Sequence, residues 1–110
     1  MDQVQVTVQS HGEATLVRVV GVVDAMALPR VSRALTDAQR DHGPVIVDLE
    51  GVSFMDSRGL GALLAANERS REGAAPVSIY RPSEAVRRLL AVSGVAPVFN
   101  EVDTLPDSGS

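Results

Sequence analysis

Segments with strand and helix patterning alternate along this chain after an opening pair of strands. That order predicts an α/β fold: a small single domain with a mixed β-sheet and helices packed against it. Two bulk observations support this class. The 110 residues fit one domain, and 45% of them are hydrophobic although only 3% are aromatic. A packed core is therefore expected rather than disorder, built from Val, Leu, Ile and Ala.

Val4, Val6 and Val8 alternate with Gln5, Thr7 and Gln9, the period of a half-buried strand. Ser10 to Glu13 reads as a turn, and Leu16 to Val23 as a second strand completing an antiparallel hairpin. From Leu28 to about Asp41 the apolar residues Leu28, Val31, Ala34, Leu35 and Ala38 fall at helical spacing, and Pro29 belongs in the first turn. Val45 to Leu49 is a short apolar run, as in a strand buried on both faces. Glu50 to Asp56 is expected to be loop. A second helix follows from about Arg58 to Arg71, with Gly73 after its end. Val77–Tyr80 is the next strand. Ser83 is placed to cap a third helix carrying Val86, Leu89 and Leu90 and stopping near Gly94. Val98 and Phe99 suggest a last short strand. Residues 1–103 are expected to form the domain and 104–110 a flexible C-terminal tail.

Composition excludes several functions. A net charge of −4 with three aromatic residues offers little to neutralise phosphates or stack on bases, so no nucleic-acid partner is expected. There is no cysteine, which removes disulfides and thiolate metal sites. His11 and His42 are too few and too far apart in sequence to suggest a metal centre. No run approaches the ~20 apolar residues of a membrane span, and the first residues lack a signal peptide. A cytoplasmic protein without membrane association, metal or cofactor is the expectation.

The most informative stretch runs from Asp48 to Gly61, from a strand end through a loop into a helix. Ser57 stands where an N-cap belongs, and its oxygen is placed to accept a backbone N–H two or three residues on. Gly59 and Gly61 allow the first turn to approach another surface closely. Free N–H groups and the positive end of the helix dipole suit a phosphate. The same local chemistry also fits a serine that only caps, with Asp56 as an ordinary turn residue.

The chain resembles the STAS domain as found in anti-sigma-factor antagonists of bacterial sporulation and stress responses. The resemblance covers about residues 4 to 102. It rests on Gly21-Val22-Val23-Asp24, on Val47-Asp48-Leu49, on the run Val52 to Gly61, and on Arg87-Arg88-Leu89-Leu90 with Ser93-Gly94-Val95. It implies that Ser57, directly after Asp56, is the phosphorylated residue. It further implies that the unphosphorylated form binds an anti-sigma factor with serine kinase activity and frees the sigma factor, and that a serine phosphatase reverses the mark. Asp24, Asp56, Ser57, Arg58, Gly59 and Leu60 are the expected partner-binding residues, with Asp24 and Asp56 forming an acidic rim around the serine; the other readings are that Asp24 only caps the first helix and that Arg58 is a solvated surface residue. The chain departs from the family pattern at Arg58, where Ser or Thr is usual, and at Ala27, where a polar residue is frequent.

Two rivals remain. An enzyme would need acids such as Asp24, Asp48, Glu50 and Asp56, or Asp48 as a phosphoacceptor. Asp-Ser-Arg-Gly is not a nucleophile elbow, and the acidic residues that open a receiver domain are missing after the first strand, so no catalytic activity is expected. A STAS scaffold or binding module without Ser57 phosphorylation keeps the fold and changes the role. The shortness of the chain favours the plain antagonist, as a monomer or weak dimer.

Overall fold

The alternating valines near the start form β1, Gln5–His11, which turns back into β2, Ala14–Val23. His11 faces Ala14, so only Gly12 and Glu13 make the loop. A two-residue hairpin needs positive φ, and Gly12 supplies it at 64°. The structure, a computed structural model, describes residues 3–41 and 43–106; His42 and the end of the expected tail lie outside them.

The remaining elements are α1 Leu28–Ala38, β3 Val45–Asp48, β4 Val52–Met55, α2 Ser57–Arg71, β5 Val77–Tyr80, α3 Glu84–Ser93 and β6 Asn100–Val102. Ser83 caps α3 as expected, its side chain accepting from Val86 N, and Gly94 closes that helix with φ at 73°. Two expectations are corrected. The segment Glu50 to Asp56 is not all loop, because β4 lies inside it. Its middle residues are exposed and only Val52 and Met55 are buried, so it lacks the alternation that marks a strand. Val98 belongs to a short 3-10 turn, Ala96–Val98, with Phe99 following it, and the last strand comes after both.

The hydrogen-bonded order is β1-β2-β3-β5-β6, with β4 added beside β2. Among the described residues only β1 runs antiparallel to its neighbour; β2–β3, β3–β5, β5–β6 and β2–β4 are parallel. The sheet is therefore mixed, with a hairpin edge.

Strand periodicity separates the two faces. Val17, Val19, Val45, Val47, Val77 and Ile79 join Val31, Leu35, Leu63, Val86 and Leu90 from the helices in the main core. Side chains of opposite parity, Ala14, Leu16 and Ile46, form a smaller cluster on the other face with Tyr80, Val102 and Leu105. Buried Gln39 links the first two helices. It donates to Ala66 O at 2.9 Å and Ala75 O at 3.1 Å, and accepts from Arg69 Nε at 2.9 Å.

Leu105 bears on the tail. It packs on the cluster of Ala14, Leu16 and Ile46. Leu105→Ala is expected to cost about 1 kcal/mol, the loss of a partly buried leucine side chain. Deleting residues 106–110 is expected to leave thermal unfolding nearly unchanged. Melting curves of the two variants check both.

Candidate functional site

β2 and β4 end side by side. Their parallel register sets Gly21 against Val52 and Val23 against Met55, with an irregularity between Gly21 and Val22. Asp56 N then donates to Val23 O at 3.1 Å. This brings Asp24 beside Asp56 at one edge of the sheet, where α1 and α2 both begin.

Each aspartate organises a helix start. The Asp24 carboxylate accepts from Met26 N at 3.0 Å, and its backbone carbonyl accepts from Ala27 N and Leu28 N, both at 3.1 Å. Ala27 stands at the α1 N-cap with no side-chain cap bond; Pro29 has no N–H for a polar side chain there to accept, and Arg30 N donates to Ala27 O at 3.1 Å. Asp56 has an extended backbone and is the N-cap of α2. Its Oδ1 accepts from Arg58 N at 2.9 Å and Gly59 N at 3.2 Å.

The cap expected of Ser57 is thus made by Asp56. The cause is the bond from Asp56 N to Val23 O, which holds residue 56 extended and makes residue 57 the first helical position. Ser57 is exposed, and its hydroxyl has no hydrogen-bond partner among the described residues. Asp56→Ala should cost about 0.5–2 kcal/mol through loss of the cap, whereas Ser57→Ala should stay within about 0.5 kcal/mol of the parent. Urea unfolding of the two variants checks the assignment.

Arg58 is exposed, and its Nη1 lies 3.7 Å from Asp56 Oδ2. Gly59 and Leu60 do not stand on the accessible surface. Both are buried, and a Cβ at Gly59 would lie 2.7 Å from Val23 Cγ1 and 2.8 Å from Met55 Cγ. The close approach that the glycine permits is to the protein's own β2 and β4. Gly61 is exposed, with nothing near the position of an added Cβ.

Two exposed apolar side chains flank this edge and carried no signal that marked them as part of a site. Met26, 87% exposed, lies two residues after Asp24 in the turn before α1. Phe54, 52% exposed, precedes Asp56 by two residues. It lines a groove with Met55, Leu89 and Val92, beside Glu84 and Arg88.

The other carboxylates considered for catalysis are engaged elsewhere. Asp48 is 2% exposed, with Arg18 Nε at 3.2 Å and Arg81 Nη2 at 3.6 Å from its Oδ2, and its Oδ1 accepts from Glu50 N at 3.1 Å. Glu50 lies 3.0 Å from the same Arg81. A buried carboxylate held between two guanidinium groups is poorly placed to accept a phosphoryl group. Among the described residues no cluster of His, Asp and Glu could hold a metal ion, and no helix is long and apolar enough to cross a membrane.

The chain is similar to several known proteins. A family model described as "Mlab, STAS domain" matches residues 6–100. The anti-sigma-B factor antagonist of Listeria monocytogenes is 33% identical over 82 residues, which cover 74% of this chain and 72% of that protein. An anti-sigma factor antagonist from Mycobacterium paratuberculosis superposes with a TM-score of 0.82 at 26% identity, over 94% of this chain and 88% of the other. The anti-sigma factor antagonist SpoIIAA in its unphosphorylated form gives a TM-score of 0.67 at 25% identity, over 89% of this chain and 88% of the other.

Proposed function

The chain belongs to the STAS domain family, and on that premise we propose that it is an anti-sigma-factor antagonist switched at Ser57. Unphosphorylated, it binds an anti-sigma factor and releases the sigma factor held there. The anti-sigma factor is also the serine kinase that modifies Ser57, and a serine phosphatase restores the active form. The protein acts by binding, in the bacterial cytoplasm, without catalysis or cofactor of its own.

One observation carries this reading. Ser57 is exposed, its hydroxyl is unengaged, and it stands at the first position of α2 beside a capping aspartate. A kinase can reach it without unfolding anything, and a phosphate there meets the positive end of the helix dipole. The partner-facing surface is Asp24, Asp56, Ser57 and Arg58, flanked by Met26 and Phe54. Gly59 contributes by seating α2 against β2, not by contact.

The direct functional test is release. Adding the unphosphorylated protein to a preformed complex of an ATP-binding anti-sigma factor with its sigma factor should free the sigma factor stoichiometrically. If no such complex from the same bacterium is dissociated, the antagonist reading fails.

A further inference from the structure

The outer edge of β1 has a sequence unlike an edge built to stay alone. β1 ends the strand order, and among the described residues no strand pairs with its far side. An unpaired edge is a template for another strand, and proteins blunt it with charge, proline, bulges or short length. Residues Gln5 to Ser10 contain no charge, proline or glycine. The pairing with β2 runs from Gln5 to His11 without a shift of register. The opposite edge shows the usual defences: β6 has only three residues and carries Glu101.

The residues of this edge are also palindromic. Gln5-Val6-Thr7-Val8-Gln9 reads the same in both directions about Thr7. A strand of that kind is self-complementary in an antiparallel pair about a two-fold axis. Thr7 meets Thr7 of a second copy, each Val6 meets a Val8, and each Gln5 meets a Gln9. Threonine pairs and β-branched pairs are favourable cross-strand neighbours, and each chain offers the same surface to the other, as an isologous contact requires. Val8 is 52% exposed in the single chain and would gain cover.

We propose that two copies of this protein associate through β1, antiparallel and centred on Thr7, continuing the sheet from one chain into the next. The contact is short, well below the roughly 1,200–2,000 Å² of a stable interface, so the dimer is weak and reversible. It leaves the edge bearing Asp24, Asp56 and Ser57 uncovered, and it is independent of the role assigned to Ser57.

Sedimentation of the whole chain over a wide concentration range tests this. The mass should rise from the 11.6 kDa of one chain toward twice that value. Thr7→Glu sets two carboxylates against each other across the axis, while in the single chain residue 7 lies opposite Arg18. It should weaken association by about tenfold or more, since like charges face each other. An equimolar mixture of Thr7→Glu with Thr7→Lys should restore a dimer containing one chain of each. Independently of any variant, hydrogen exchange of wild-type protein should show concentration-dependent protection confined to the Gln5–Gln9 amides. Mass fixed at one chain throughout, a dimer indifferent to Thr7→Glu, or protection appearing on another element would each overturn the proposal.

Discussion

Phosphorylation of Ser57 is expected to weaken binding to the anti-sigma factor by at least about a hundredfold, close to 3 kcal/mol, while leaving the circular dichroism spectrum unchanged. The two halves have separate causes. Within the domain the phosphoryl group displaces no described contact, because Ser57 is exposed and makes no side-chain hydrogen bond among the described residues. Its added charge, about −1.5 to −2 at neutral pH, lies at a helix N-terminus, where an anion is favoured by roughly 0.3–1 kcal/mol. Against a partner the same group is bulky, strongly hydrated and next to Asp56 and Asp24. Burying it without a cation is costly, and Arg58, already 3.7 Å from Asp56, offsets only part of the charge. Ser57→Asp should reproduce the effect in part. Titration calorimetry against the anti-sigma factor, paired with far-UV spectra of the three forms, checks it. Unfolding of the phosphoprotein, or undiminished affinity, contradicts the switch.

Gly59→Ala should destabilise the protein by about 1–3 kcal/mol, the usual cost of forcing an extra carbon into a filled site, and Gly59→Val by more. Any Cβ at position 59 falls under 3 Å from Val23 Cγ1 and Met55 Cγ, and 3.2 Å from the Val23 carbonyl oxygen. The backbone atom cannot swing aside as a side chain can, so α2 must move off β2 and β4. Gly61→Ala, one turn position further on, should do the reverse. Its added Cβ meets nothing within 4 Å, and alanine exceeds glycine in helix propensity by about 1 kcal/mol. Opposite signs at glycines two residues apart, read from chemical denaturation, separate packing from propensity.

Much of the fold was legible because periodicity is a strong signal over long elements. β1, β2 and the three helices stand out in this way, and the parallel strands β3 and β5 read as short apolar runs. β4 was not legible: four residues with an irregular partner register carry no alternation. That omission propagated to the site. Whether Asp56 or Ser57 caps α2 depends on the bond from Asp56 N to Val23 O, a contact between strands distant in sequence. Gly59 announces a close approach, but glycine says nothing about which surface approaches. The nearness of Asp24 to Asp56 came from family resemblance alone, since the pairing of β2 with β4 leaves no local mark. Met26 and Phe54 escaped notice because exposure of a lone apolar residue is invisible without the packing around it.

The identity of Ser57 as the switch residue is tested most directly by mapping the phosphate. The protein is incubated with its anti-sigma kinase and ATP, digested, and the modified peptide sequenced by mass spectrometry. A single major site at Ser57 is expected, with Ser57→Ala unmodified, still folded, and still able to bind. Phosphate on Ser32, Ser53 or Ser70 with Ser57 unmodified would contradict it.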